Sequence, residues 1–152
     1  LFIRRLLDGV HHEGPFHVYD SFEGLPEKTK PDMSAAGEQF RAGELFASKK
    51  QLLRHFHRVG LVPPFIHKAW FNLLTPTDVP DDIMFAFLDG DYYESIRDSL
   101  RLVAPKLLPG AIIIVDDYAN EALPGAHRAV DEWCRGRTVK LRVEASLAII
   151  TT

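Results

Sequence analysis

The chain has 152 residues and a mass of 17.2 kDa, the size of one ordinary domain. Hydrophobic residues make up 46% and charged residues 26%, a composition that excludes wholesale disorder. The 18 basic and 21 acidic residues give a net charge of −3, so we expect neither a nucleic-acid nor a membrane-surface partner.

Cysteine content and hydropathy indicate the cellular compartment that we expect for the protein. Cys134 is the single cysteine, so no internal disulfide can form, and no zinc-binding spacing is present. This fits a reducing compartment, and we expect a cytoplasmic protein. No apolar run approaches the ~20 residues that span a bilayer. Residues 1–7 place two arginines inside an apolar stretch and lack a cleavage site, so we do not expect them to be a signal peptide.

The first half of the chain alternates helical and strand patterns. Apolar spacing and glycine stops indicate the helices, and Ser48 is a typical helix N-cap. In chain order, the predicted elements are a helix at 1–8, a buried strand at 17–19, a long polar loop at 24–43, a helix at 48–59 and a strand at 65–69.

The second half carries the longest apolar runs. Continuous apolar runs at 83–88 and 111–115 predict strands that are buried on both faces, as in a parallel sheet. Between them an amphipathic helix is expected over 95–108, with its last turn kinked or ended by Pro105, and Pro109-Gly110 closing the segment. A helix at 124–134 and strands at 139–143 and 145–151 complete an α/β fold, mostly parallel with a C-terminal antiparallel pair.

Aspartates follow three of the predicted strands. Asp20 ends the first strand, Asp89 follows the 83–88 strand, and Asp116-Asp117 follow the 111–115 strand. Ligands of open α/β sheets bind outside the carboxyl ends of the strands, so these side chains are candidates for one shared site. Few basic residues lie near Asp89 and Asp116-Asp117 in the sequence, and a divalent cation such as Mg²⁺ would neutralise them.

Each of these residues also has a purely structural interpretation. Asp20 could cap the following turn, Asp117 could form an Asx-turn, and Asp91 fits turn or helix-start chemistry. Trp70 and Phe71 could belong to the core or form an aromatic wall for a flat ligand such as adenine. The sequence contains no nucleophile elbow, phosphate loop or dinucleotide fingerprint.

Several motifs occur together in a characteristic order, and the chain resembles the macrocin O-methyltransferase (TylF) family from about Tyr19 to Trp133. The motifs that carry this resemblance are D-S-F-E-G-L-P at 20–26, A-W-F at 69–71, L-D-G-D-Y-Y-E-S at 88–95, P-K-L at 105–107, P-G at 109–110, V-D-D-Y at 115–118 and A-V-D at 129–131.

The resemblance implies a Rossmann-like methyltransferase sheet and an activity. The expected enzyme is an S-adenosylmethionine-dependent, Mg²⁺-assisted O-methyltransferase that acts on a hydroxyl of a sugar or phenolic natural product. It also implies site residues: Asp20 on the ribose hydroxyls with Ser21 and Phe22 beside it, Trp70 and Phe71 near the adenine, Gly90 at the cofactor, and Asp89, Asp116 and Asp117 around Mg²⁺.

The chain departs from the family pattern in two places. Some relatives carry a histidine before the second helix as a general base, and residues 39–41 contain none, so Asp89 of the metal shell is the expected catalytic proton acceptor. The family's first strand and Gly-containing loop should precede a helix like 1–8. The resemblance therefore predicts that residues 1–152 form a single, N-terminally incomplete methyltransferase domain with a small-molecule hydroxyl substrate and possible homo-oligomers.

Two other functions compete with this one. A degenerate methyltransferase fold could serve as a non-catalytic binding module. A phosphotransferase of the response-regulator type would need a lysine opposite the aspartates, and Lys106 is poorly placed for that in the sequence.

Overall fold

The computed structural model describes residues 1–152 and contains four α-helices and six β-strands. No helix combines the length and apolar composition that crossing a membrane requires. In chain order, the elements are α1 (Phe2–Gly9), β1 (His17–Asp20), α2 (Lys49–Arg58), β2 (Phe65–Lys68), β3 (Ile83–Leu88), α3 (Tyr93–Val103), β4 (Leu107–Val115), α4 (Pro124–Cys134), β5 (Lys140–Glu144) and β6 (Leu147–Thr151).

The strands form two hydrogen-bonded groups. β1 pairs in parallel with β2, and a second sheet has the order β3-β4-β6-β5. Within it β3 and β4 are parallel, whereas β6 runs antiparallel to both β4 and β5. The predicted α/β class, with parallel pairs and a C-terminal antiparallel pair, is confirmed.

The main core lies between the second sheet and the helices α3 and α4. Ile96 and Leu100 of α3 and Val130 of α4 are fully buried against Ile113 of β4 and Ile150 of β6. Helical spacing brings the α3 residues onto one face, so α3 and α4 cover the same side of the sheet. This packing fixes the carboxyl ends of β3 and β4, where the aspartates follow.

The prediction that the 83–88 strand is buried on both faces was wrong. Met84, Phe85 and Phe87 are 56%, 42% and 37% exposed, and their neighbour Ile112 on β4 is 41% exposed. The helices α3 and α4 cover the face that carries Ala86 and Leu88, and Phe85 and Phe87 alternate onto the other face. The uninterrupted apolar run therefore correctly indicated a strand that pairs in parallel with β4, but it did not show that one face of this edge strand lies uncovered in these 152 residues.

The boundary between α3 and β4 also differs from the prediction. The helix begins at Tyr93 rather than Ser95 and ends at Val103, because Pro105 lies in a 3-10 turn that replaces the last helical turn. Residues 107–108, expected in the helix, instead start β4, where Leu107 pairs with Ile83.

Candidate active site

The predicted acidic residues come together at the carboxyl ends of β3 and β4. The parallel pairing continues past the strands, because the Asp116 N–H donates to the Leu88 carbonyl (N···O 2.9 Å) and so brings Asp116 beside Asp89. Asp117 follows with a left-handed backbone (φ 55°). One carboxylate oxygen from each of Asp89, Asp116 and Asp117 lies within 4.8 Å of the other two. These three residues are called the acidic trio below.

Local hydrogen bonds orient two members of the acidic trio. Oδ1 of Asp116 accepts the Asp117 N–H (2.8 Å) and, at 3.5 Å, the Ser146 hydroxyl. Oδ1 of Asp117 accepts the side-chain amide of Asn120 (2.7 Å) and not the backbone N–H that an Asx-turn requires. In each residue the second oxygen accepts no protein hydrogen bond, and both stay available to a ligand.

The acidic trio has no cationic partner. None of the ion pairs in the structure involves Asp89, Asp116 or Asp117. Surrounding protein atoms displace water from the Asp89 carboxylate, which still reaches solvent, and this desolvation is the main cause that raises its pKa. The charges of Asp116, Asp117 and Asp20 raise it further, in that order.

Asp91 is a further carboxylate at this site, although the sequence favoured turn or helix-start chemistry for it over a ligand role. It is half-buried, with a left-handed backbone (φ 57°). Burial, followed by the charges of Asp89, Asp117 and Asp116, raises its pKa to about 6. The signal that could have identified it is the spacing D-G-D, which places a second carboxylate two residues after Asp89.

The donor set of the acidic trio fits a hard divalent cation. It offers only carboxylate oxygens, which Mg²⁺ prefers, and no basic side chain of this chain pairs with them. Lys106 pairs instead with Asp81, which precedes β3 at its opposite end. The phosphotransferase interpretation, which needs a lysine facing the aspartates, has no support here.

The uncompensated charge predicts that Asp116→Asn stabilises the metal-free chain at pH 7. Asparagine keeps the Oδ1 acceptor for the Asp117 N–H but removes a negative charge that raises the pKa of Asp89 and Asp91. The melting temperature should rise by about 3 °C per ~1 kcal/mol of repulsion relieved. Thermal unfolding in a chelating buffer measures this, and an unchanged or lower melting temperature would contradict it.

The raised pKa values of Asp89 and Asp91 also set how the stability of the chain depends on pH. Asp89 and Asp91 have a higher pKa in the folded than in the unfolded chain, so the folded state binds their protons more tightly. The destabilising effect of Asp91 is present at pH 7, shrinks as the pH falls through about 6, and vanishes below the ordinary value near 3.8. The effect of Asp89 changes with pH in the same direction. The stability gain from Asp116→Asn should therefore be largest at neutral pH and shrink by pH 4.

β1 and β2 assemble the other side of the site. Asp20 lies opposite Lys68 in the parallel register, and the Ala69 N–H donates to the Asp20 carbonyl (3.0 Å). Trp70 and Phe71 follow directly and are half-buried. Asp20 is exposed, and its Oδ1 accepts the Phe22 N–H (2.6 Å), so the capping interpretation of Asp20 also holds. Its charge reaches Asp89, so this side adjoins the acidic trio.

The remaining predicted cofactor residues shape the turns around the site. Ser21 and Phe22 are buried (8% and 7% exposed), and the Ser21 hydroxyl accepts the Glu23 N–H (3.1 Å). Gly90 is also buried, and a Cβ there would lie 2.9 Å from the Ser95 Cβ, so only glycine fits without displacement. Contact of these residues with a cofactor stays a prediction.

Parallel strand pairs, helices packed on the sheet and carboxylates gathered at the strand ends define an α/β protein with a candidate ligand site at its strand ends. Residues 1–146 match the macrocin-O-methyltransferase (TylF) family. The chain belongs to this family.

Three relatives are similar in sequence. A tetracenomycin-type 4′-O-methyltransferase of Streptomyces olivaceus, named for a 2,3-dimethoxy-α-L-rhamnosyl substrate, is 36% identical over 111 residues, 69% of this chain and 42% of the relative. The demethyldecarbamoylnovobiocin O-methyltransferase of Streptomyces niveus is 32% identical over 76% of this chain and 45% of its own length. The mycinamicin III 3″-O-methyltransferase of Micromonospora griseorubida is 32% identical over 76% of this chain and 47% of its own length. The chain thus spans less than half of each.

Two solved structures share the fold. The O-methyltransferase NovP superimposes with a TM-score of 0.81 and 26% identity, covering 98% of this chain and 64% of NovP. The calicheamicin methyltransferase CalS11 superimposes with a TM-score of 0.78 and 20% identity, covering 96% of this chain and 65% of CalS11. The predicted methyltransferase fold is therefore confirmed.

Proposed function

We propose that the protein containing this chain is an S-adenosylmethionine-dependent, Mg²⁺-assisted O-methyltransferase that acts on a hydroxyl of a sugar or phenolic natural product. The observation that carries the proposal is the acidic trio beside Asp20 at one edge of the fold. Membership of the TylF family supports the reaction class.

The residues divide the work as follows in the proposal. Asp20 accepts the ribose hydroxyls, with Trp70 and Phe71 as the aromatic wall for adenine, while the acidic trio holds Mg²⁺. When bound, the cation lowers the pKa of the acceptor hydroxyl. Asp89, or Asp91 with its raised pKa, accepts the hydroxyl proton. Because methyl transfer is an in-line displacement, fixed positions of these groups account for much of the rate.

The substrate class rests on what the relatives are named for. One relative is named for 4′-O-methylation of a rhamnosyl-bearing compound and another for a 3″-O position. The loop at 24–43 is rich in charged residues, including Lys28, Lys30, Glu38 and Arg41, which suits a polar acceptor. A sugar hydroxyl is therefore the first acceptor to test, ahead of a phenol.

We also propose that residues outside these 152 complete the cofactor site. β1 and β3 both direct their carboxyl ends to the acidic edge, yet they do not pair with each other, and each leaves one edge without a partner strand. One further parallel strand between them would join the two sheets. The glycine-containing loop expected after such a strand would hold the methionine end of S-adenosylmethionine.

Calorimetric titration tests the proposed function. We expect S-adenosylmethionine to bind a chain extended at its N-terminus with the corresponding segment of NovP, and Mg²⁺ to be required for transfer of a labelled methyl group to glycosylated acceptors. Cofactor binding without transfer to any sugar or phenol would favour the non-catalytic module. Absence of cofactor binding by the extended chain would refute the proposal that the protein is a methyltransferase.

A further inference from the structure

Asp32 is a buried carboxylate outside the acidic trio. It lies in the 24–43 loop, is 1% exposed, and has no cationic partner. Its Oδ2 accepts the N–H (2.9 Å) and the hydroxyl (2.6 Å) of Thr29. Its Oδ1 accepts the N–H of Tyr93 (2.6 Å), which is 61 residues away. Burial of a carboxylate without a cationic partner costs free energy. Here the three hydrogen bonds that Asp32 accepts offset that cost, and each of their donors would lose its acceptor without it.

We propose that Asp32 is a positioning residue: it fixes the turn that carries Asp89 and Asp91 and holds the 24–43 loop against it. This inference rests on the proposed function, because that function is what gives the turn its catalytic importance. Tyr93 is the first residue of α3, and the first N–H groups of a helix lack helical partners. Asp32 supplies the missing acceptor and also suits the positive end of the helix dipole.

The turn between Asp89 and Tyr93 is tight, so a shift of Tyr93 would also shift Asp89 and Asp91. The Tyr92 N–H donates to the Gly90 carbonyl (2.6 Å), and Asp91 adopts a left-handed backbone. Gly90 packs directly against Ser95 of α3. The hydrogen bond from the Tyr93 N–H to Asp32 therefore fixes the positions of Asp89 and Asp91 after β3.

The loop also contacts the segment that follows the other members of the acidic trio. The Ser34 hydroxyl donates to the Glu121 carbonyl (2.7 Å), and Gly37 lies so close to the Ala122 carbonyl that a Cβ would not fit. The Tyr92 hydroxyl donates to the Phe40 carbonyl (3.2 Å). The loop thus bridges the segments after β3 and β4. Binding of a cation between those segments should therefore also stabilise the loop.

Gly125 gives a second way to disturb the same contact. A Cβ at this position would collide with Oδ1 of Asp32 and lie 2.6 Å from the Tyr93 nitrogen. Gly125→Ala should therefore displace the carboxylate from Tyr93 without altering Asp32 itself.

The chain contains a matched control for Asp32. In the sequence Thr75-Pro76-Thr77-Asp78, Oδ2 of Asp78 accepts the N–H (2.8 Å) and the hydroxyl (2.7 Å) of Thr75, as Oδ2 of Asp32 does for Thr29. Asp78 is exposed, and its carboxylate makes no hydrogen bond to a distant segment. A substitution at Asp78 thus removes the same local motif without releasing the loop.

Limited trypsin digestion after Lys28 and Arg41 reports on the loop without requiring activity. In Asp32→Ala we expect cleavage to become about tenfold faster, because a buried N–H that loses its acceptor shifts a local opening equilibrium by about that factor. Asp32→Asn keeps one acceptor and should be intermediate, Gly125→Ala should resemble Asp32→Ala, and Asp78→Ala should match the unmodified chain. Mg²⁺ should slow cleavage of the unmodified chain but not of Asp32→Ala.

Equal cleavage rates in Asp32→Ala and Asp78→Ala would overturn the inference. If Mg²⁺ protects neither chain while Asp32→Ala still releases the loop, Asp32 is confirmed as the anchor and the proposed metal site fails instead. Circular dichroism checks that each variant is folded. Should Asp32→Ala not fold, Asp32→Asn and Gly125→Ala decide the question, and wild-type cleavage rates in both would overturn the inference.

Discussion

The double substitution Asp89→Ala and Asp117→Ala should abolish Mg²⁺-dependent methyl transfer, with a loss of at least about a thousandfold, since Lewis-acid assistance contributes several kcal/mol to such a step. It removes two of the three carboxylates whose oxygens lie within 4.8 Å of one another, leaving Asp116 alone. Transfer of a labelled methyl group from S-adenosylmethionine measures the loss. In parallel, titration with Mg²⁺ should show that the cation stabilises the unmodified folded protein but not the double variant.

The control for this double variant lies at the opposite end of the same strand. Asp81→Ala with Asp82→Ala removes the same charge just before β3, where both residues are exposed. Methyl transfer and the response to Mg²⁺ should be close to those of the unmodified protein. If both double variants lose activity equally, or if neither does, the acidic trio is not the metal site.

The substitution Asp20→Asn should weaken binding of S-adenosylmethionine by about tenfold or more, because hydrogen bonds to a charged acceptor contribute ~1.5–3 kcal/mol. Asparagine retains the Oδ1 acceptor for the Phe22 N–H, so the turn after β1 should persist. What is lost is the negative charge and the second acceptor that two ribose hydroxyls would share. Calorimetric titration with the cofactor, together with thermal unfolding, separates these two effects.

Glu23→Gln is the matched comparison for Asp20→Asn. Glu23 is an exposed carboxylate three residues further along, and it pairs with Lys68 at 3.4 Å. Its removal should leave cofactor affinity within about twofold, as exposed ion pairs contribute little. An Asp20→Asn variant that binds the cofactor as tightly as Glu23→Gln does would remove Asp20 from the site.

Much of the fold could be predicted because local signals agreed with the final structure. Ser48 caps α2 by accepting the Gln51 N–H (3.2 Å), and α4 has the predicted bounds. These features depend on hydrogen bonds and propensities within a few residues. Asp89 and Asp116-Asp117 could be placed together for a related reason: parallel strands bring their carboxyl ends to one edge.

The residues that were missed depend on neighbours far away in the chain. Asp91 looks like a turn residue, and only the packing of several carboxylates around it raises its pKa to about 6. Asp32 looks like the end of a short capping box, identical in kind to that of Asp78, until the Tyr93 N–H arrives from 61 residues away.

The sequence by itself determined the α/β class, most of the elements, the Ser48 cap and the strand ends that carry aspartate, because these depend on apolar patterns and hydrogen bonds within a few residues. The tertiary structure alone decided that Phe85 and Phe87 lie on an uncovered face, and that Asp32 rather than Asp78 reaches a helix end. Burial and long-range hydrogen bonding depend on which distant segments meet, and a pattern of neighbouring residues does not contain that information.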